Sequence, residues 1–248
     1  MISELEEKEQ FAFVIPVYNH PQYVMQVIAG VQIYGCPVIV VNDGSTDGTA
    51  ACLEKIPDIY LLSHQINQGK GAALQTGIEK AVKLAHQAIT IDADGQHDPA
   101  DAAVLMQASL ENPSAIIIGK RQGMKEQQAP WTSRLGRQVS NFWVFVTCGI
   151  KLTDSQSGFR IYPLPACLEL GVVSRRFQFE VEILVKACWH RISVIEKPIS
   201  VKYKKEITWV SHFRPLIDFL RIVSTFARLI VQGVLIPSAR RRRKHASR

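Results

Sequence analysis

No CxxC pair occurs among the five cysteines, Cys36, Cys52, Cys148, Cys167 and Cys188, and their number is odd. That excludes the common zinc spacings and offers no disulfide framework, so a reducing compartment is the simpler expectation. No GxxxxGK[ST] run is present and no GxGxxG follows the first apolar segment, which argues against a P-loop nucleotidase and a dinucleotide dehydrogenase. A long uncharged apolar run is missing too. The best candidate, Pro215 to Ile236, is interrupted by Asp218, Arg221, Arg228 and Gln232, which argues against a simple membrane-spanning helix. The opening MISELEEKEQ is acidic and polar, the opposite of a secretory leader. The expectation is a cytoplasmic protein, soluble or peripheral.

What is present suits one sizeable folded body: 248 residues, 47% of them hydrophobic, are enough for a substantial core. The formal net charge of +7 is unevenly spread. From Lys202 onward there are twelve Lys/Arg against Glu206 and Asp218, a balance of +10, which leaves −3 on the preceding 201 residues. Such asymmetry points to a polyanion met by the tail, either anionic lipid or nucleic acid.

Apolar runs and helical periods alternate along the first half. Strands are expected at about 11–18, 37–42, 59–63, 88–92 and 115–119, with helices at about 21–32, 49–55, 71–85 and 100–110 between them. That rhythm specifies βαβ units and a mostly parallel sheet. Ligands of such sheets gather at the carboxyl ends of strands, and those ends carry Asn19, Asp43, Asp92 to Asp94 and Lys120-Arg121. Beyond residue 125 the rhythm changes. Helices are expected at about 131–149 and 179–189, a polar turn-rich loop at 154–163, and a strand at 194–203. Pro198 marks that strand as an edge or bulged one. No internal repeat or low-complexity linker is evident.

Four segments carry chemistry. Asp92-Ala-Asp94-Gly follows an apolar strand, so two carboxylates can approach one hard cation such as Mg²⁺ or Mn²⁺. Gln96 and His97 are next in line to add a ligand or a supporting contact; alternatively DADG is simply a good turn. Asp43-Gly-Ser-Thr-Asp-Gly-Thr49 offers a carboxylate to a base or ribose, while Ser45, Thr46 or Asp47 could cap the next helix. Asn67-Gln-Gly-Lys70-Gly71 precedes a helix and resembles an anion-binding turn. In Asp154-Ser-Gln-Ser157-Gly-Phe-Arg160, Arg160 could hold a phosphate in bidentate fashion or simply pair with Asp154 in a turn. Of Glu180 and Glu182, only one is expected to face a cleft, because the two point apart on a strand or a helix.

In the tail, Leu216, Phe219, Leu220, Val223, Phe226, Leu229 and Ile230 recur at three- and four-residue spacing, and Arg214, Arg221 and Arg228 recur every seven. This is the pattern of a helix lying in a membrane interface. Arg240 to Lys244 extends it as a polybasic, lipid-binding run. A helix packed on the body and a merely solvated basic end compete with that reading. No RNP or KH signature accompanies the basic charge, so nucleic acid is not the expected partner.

VIPVYN (Val14–Asn19), VNDGSTDGT (Val41–Thr49), NQGKGAAL (Asn67–Leu74), DADGQHDP (Asp92–Pro99) and DSQSGFRIYP (Asp154–Pro163) occur in this order. Together they resemble glycosyltransferase family two with the GT-A fold, and DADGQHDP and SGFR resemble its dolichyl-phosphate mannose synthase-like, polyprenyl-phosphate glycosyltransferase branch. The resemblance implies an α/β GT-A domain at about 11–205, after an extension at 1–10 and before an amphipathic, polybasic helical tail at 206–248. It implies that Pro16, Tyr18 and Asp43 hold the base and ribose of a nucleotide sugar, with Asn19 and Lys70 also on the donor side. Asp92, Asp94 and Gln96 would serve a Mg²⁺ or Mn²⁺ ion and the donor diphosphate. Arg121 and Arg160 would meet phosphates or the acceptor, and Ser157, Glu180 and Glu182 would lie on the acceptor side.

The activity so implied is an inverting transfer of sugar from a UDP- or GDP-sugar to a lipid-linked acceptor at the inner face of the plasma membrane. An acceptor phosphate needs no general base, whereas a lipid or glycan hydroxyl does, and Asp154 is the candidate. The hydroxyl reading stays open here, as does a non-catalytic nucleotide-sugar-binding protein. A sugar-nucleotide pyrophosphorylase is disfavoured because VIPVYNH lacks a glycine.

Overall fold

A computed structural model describes residues 9–122, 131–201 and 215–235. Its order is β1 (Glu9–Val17), α1 (Pro21–Gln32), β2 (Val38–Asn42), α2 (Thr49–Leu53), β3 (Tyr60–Ser63), α3 (Lys70–Leu84) and β4 (Ala85–Thr90). A 3₁₀ turn (Pro99–Asp101) leads into α4 (Ala102–Glu111), then β5 (Ile116–Arg121), α5 (Trp131–Cys148), β6 (Arg160–Pro163), α6 (Phe179–Trp189), β7 (Val194–Ile199) and α7 (Pro215–Leu235).

Among the described residues the strands form one seven-stranded sheet in the order β3-β2-β1-β4-β6-β5-β7. All neighbours run parallel except β6, which is antiparallel to both β4 and β5. The chain steps outward from β1 to β2 to β3, then returns to place β4 on the other side of β1. The strand order thus reverses beside β1, and in open parallel sheets ligands bind outside the carboxyl ends of the strands at such a reversal.

Both faces are covered, so the strands read as near-continuous apolar runs. On β1, Phe11, Phe13 and Ile15 pack with α1 and α4 residues such as Ile28 and Leu105. The alternate residues Ala12 and Val14 pack with α3, α6 and α7 through Ala73, Leu184 and Phe226. The period of two on the strand thus splits one sequence between two cores.

Three expectations need correction. The segment 154–163, read as a polar loop throughout, ends in β6. Its four residues are all buried, a run too short for any period to declare itself. β4 begins at Ala85, earlier than expected, because it follows α3 without a connecting loop. The tail helix is the third. Ile222, Phe226 and Leu229 of α7 are buried, Phe226 stacks on Trp143 of α5 with ring centroids 6.0 Å apart, and Arg228 reaches Glu182 of α6 at 2.8 Å. This described part of the helix thus packs on the body, and Arg228, expected on a polar outer side, turns toward that body. Among the described residues β7 lies at the sheet edge, paired with β5 alone, in accord with Pro198; the expected strand's last residues, 202 and 203, and the basic run Arg240 to Lys244 lie outside the described residues.

Candidate active site

Asp92 emerges two residues past β4. Lys70, the first residue of α3, places its ammonium 2.8 Å from Asp92 Oδ1 and 2.5 Å from Glu180 Oε1 in the first turn of α6. Gly158 is the third member of this contact. A Cβ there would stand 2.3 Å from Asp92 Oδ2, so only glycine lets the loop before β6 approach the carboxylate. Asp94 lies alongside, its Oδ1 accepting the Gln96 N–H at 2.9 Å.

Burial pushes the Asp94 carboxyl up to about 6, with the Asp92 charge adding to the effect. Burial works the same way on Asp92, but Lys70, with help from Arg121, outweighs it and holds that carboxyl below its usual range. Burial opposes the charge of Lys70, yet Asp92 and Glu180 overcome it and raise its pKa, so it stays a cation. Two hard-oxygen carboxylates at one strand end, one already strained by its neighbour's charge, are a donor set suited to a divalent cation. His97, fully enclosed and tilted against Phe159 with ring centroids 5.5 Å apart, is depressed to about 4, chiefly by burial. It is therefore neutral, and among the described residues its Nδ1 has no partner.

Asp43 follows β2 directly. The turn Asn67 to Gly71 does bind an anion, and that anion is this chain's own Asp43: Oδ1 accepts from Gln68 N at 2.9 Å and Oδ2 from Gly69 N at 2.7 Å. Gly69 takes φ +103 with Arg175 O lying 2.6 Å from where a Cβ would be. Residues 174–176 thus close over the turn, and Arg175 O accepts the Ala72 N–H at 2.9 Å. His64, one residue past β3, completes the joint. Its Nδ1 is 2.7 Å from Asp43 Oδ1 and its Nε2 is 3.0 Å from Thr76 Oγ1 of α3. Sequence reasoning passed over His64, although its place at a strand's carboxyl end is the signal that marked the other residues.

Asn19, at φ 53, stitches the first two strand-end loops together: its Oδ1 accepts Thr46 N at 2.8 Å, and its N–H donates to Ser45 Oγ at 3.1 Å. Pro16, in β1, pairs in register with Val41 and is buried, and Tyr18 stands half-buried just past that strand. Arg121 ends β5 and grips Asp154 in a fork, Nε to Oδ2 and Nη2 to Oδ1, each at 2.7 Å. Burial alone would raise the Asp154 carboxyl, but Arg121 holds it below its ordinary value.

Arg160 differs from expectation. It is fully buried and spends its donors on backbone carbonyls: Nε on Ser157 at 2.6 Å, Nη1 on Glu180 and Nη2 on Ser155, each at 2.8 Å. The guanidinium ties β6, its preceding loop and α6 together, and has no fork left for a phosphate. Ser157 is likewise buried. Glu182, fully buried, turns away from Lys70 to Ser174, Lys186 and Arg228. Only Glu180 of the two faces the acidic centre, as their helical spacing requires.

Residues 12–167 match the family described as Glycosyl transferase family 2. The UDP-N-acetylglucosamine–dolichyl-phosphate N-acetylglucosaminyltransferase of Methanococcus voltae is 30% identical over 77% of this chain and 84% of its own length. The polyprenol monophosphomannose synthase of Mycolicibacterium smegmatis is 27% identical over 75% of each chain. Among solved structures, S. aureus TarS 1-349 superposes with a TM-score of 0.55 over 94% of this chain and 68% of that one at 17% identity, a likeness of fold.

Proposed function

Because the chain belongs to glycosyl transferase family 2, we propose that it transfers a sugar, with inversion, from a nucleotide-sugar donor to a polyprenyl phosphate at the cytoplasmic membrane face. The observation that carries the phosphate acceptor is the Arg121–Asp154 fork. Asp154 is the carboxylate that a hydroxyl acceptor would need as base, yet both of its oxygens are engaged by Arg121 and its pKa is held down. A phosphate oxygen is already anionic and asks for no base. The relatives named above act, by their names, on lipid phosphates.

In this reading Pro16, Tyr18 and Asp43 receive the base and ribose. Asp92 and Asp94, with Gln96 beside them, would hold Mg²⁺ or Mn²⁺, which when bound supplies Lewis-acid charge for the departing nucleoside diphosphate. Lys70 remains cationic next to that position and adds fixed positive charge. The acceptor oxygen attacks the anomeric carbon from the face opposite the diphosphate; the new C–O bond forms as the bond to the diphosphate breaks. Arg121, pinned by Asp154, would meet the acceptor phosphate as a fixed cation.

Membrane attachment is peripheral in this reading. Among the described residues no helix is long and apolar enough to cross a membrane. On α5, Phe142 (58%), Phe145 (43%) and Val146 (52%) are exposed on one side, a suitable interfacial face. The polybasic run Arg240 to Lys244 would add attraction to anionic lipid.

The test offers the full chain UDP- and GDP-sugars with a polyprenyl phosphate or the matching polyprenol, with Mn²⁺ or with chelator. Metal-dependent transfer to the phosphate alone is expected. Transfer to the polyprenol instead would return Asp154 to the role of base and overturn the phosphate assignment.

A further inference from the structure

Asp43 is nearly sealed, with 3% of its side chain exposed. An ionised carboxylate offers about four acceptor sites, two on each oxygen. Oδ1 lies within bonding distance of both His64 Nδ1 and Gln68 N, at 2.7 and 2.9 Å. Among the described residues Oδ2 accepts only from Gly69 N, at 2.7 Å. Since a carboxylate accepts and never donates, His64 donates to Asp43 from Nδ1, and its Nε2 lies 3.0 Å from the Thr76 hydroxyl. The ring is thereby held from both ends, and among the described residues one acceptor site remains on Asp43, on Oδ2.

We infer that His64 sets the base specificity of the donor site by restricting Asp43 to a single in-plane N–H, so that the donor carries a pyrimidine imide, uracil or thymine, and not guanine. The inference rests on the proposed donor site. A pyrimidine imide presents one ring N–H between two carbonyls, which matches one open acceptor. Guanine presents two adjacent donors, N1–H and N2–H, which need both oxygens of a carboxylate; with Oδ1 full, one of them would be buried without a partner. Cytosine and adenine turn a ring-nitrogen acceptor toward the same carboxylate and are repelled. Mismatch of a buried polar pair is a strong discriminator, far stronger than a missing apolar contact. His64 is a positioning residue here, since it acts on the ligand only through Asp43.

Calorimetric titration of the full chain with UDP, dTDP, GDP and CDP in the presence of Mn²⁺ tests this. Wild type is expected to bind UDP or dTDP at least about tenfold more tightly than GDP or CDP. His64→Ala vacates a site on Oδ1 and should cut the UDP-to-GDP preference by about tenfold. His64→Asn, whose amide N–H can replace Nδ1–H, should restore it. Equal or tighter binding of GDP by wild type overturns the inference while leaving the transferase reading intact. Loss of UDP and GDP affinity by one common factor in His64→Ala makes His64 merely structural and overturns it as well. If no nucleotide binds wild type at all, the donor site falls and the inference falls with it. The wild-type panel needs no variant to fold.

Discussion

From β1 to the end of β5, strands and helices alternate, and the enclosed charge is sparse: Asp43 and the neutral His97 are the buried titratable side chains there. From α5 to α7 the regular elements are fewer and the enclosed charge is dense, with Asp154, Arg160, Glu180 and Glu182 all buried. The first region keeps much of its chemistry on loops over a preformed sheet, with Asp92 and Asp94 still partly open. Most charged groups of the second hold that region together: Arg160 binds three carbonyls and Glu182 joins α6 to α7. A charged residue at a strand end and a charged residue in a buried turn are therefore different objects, though a sequence writes them alike. Asp92 and Asp94 keep part of their surface open, whereas Arg160 is consumed by backbone that would otherwise go unpaired.

Substitutions on the two sides should separate activity from stability. The largest effect expected is at Asp94→Ala, which should lower transfer by about 10²- to 10³-fold while moving the urea midpoint by no more than about 1 kcal/mol equivalent. A variant equally inactive but grossly unfolded would erase the distinction. Arg160→Met is the converse. It strands the Ser155, Ser157 and Glu180 carbonyls and should cost about 3 kcal/mol or more in denaturant unfolding. A stable protein with lost donor or acceptor binding would restore Arg160 to the ligand. The smallest effect concerns Glu182. Burial works to raise its carboxyl, but Ser174, Lys186 and Arg228 outweigh that and leave it below its ordinary value of 4.5. A depressed native pKa contributes stability that is present above the unfolded value and is lost as pH falls through the native one. Glu182→Gln should therefore be less stable than wild type by about 1 kcal/mol near neutrality, with the gap closing below pH 4.5. A gap that widens toward acid would reverse the assignment.

Much of the first region was legible. The apolar runs at Phe11 and Val38 and the helical period after Gly71 specify β1, β2 and α3, because each apolar residue has one burial it can satisfy in that period. Asp92 and Asp94 stood out by position at a strand end. What stayed hidden were partners distant in sequence. Lys70 and Glu180 are 110 positions apart, and nothing in either neighbourhood announces the other. His64 looked like an ordinary loop residue because its meaning depends on Asp43, 21 positions earlier. Arg160 sat in a segment whose side-chain types suit a phosphate, and only its complete enclosure shows where its donors go. The amphipathic period of α7 was read correctly as a helix, but the surface it covers is decided by α5 and α6.

By itself, the sequence determined the layered α/β architecture, the family, and the strand ends where the acidic residues gather. Those depend on local period and on short motifs, whose physics acts over a few residues. The tertiary structure alone decided which charges are spent internally and how fully: the Asp43 carboxylate on the turn before α3, the Arg121–Asp154 fork, the buried Arg160. Hydrogen-bond capacity is finite and is assigned only when distant segments meet, so no local pattern can record it.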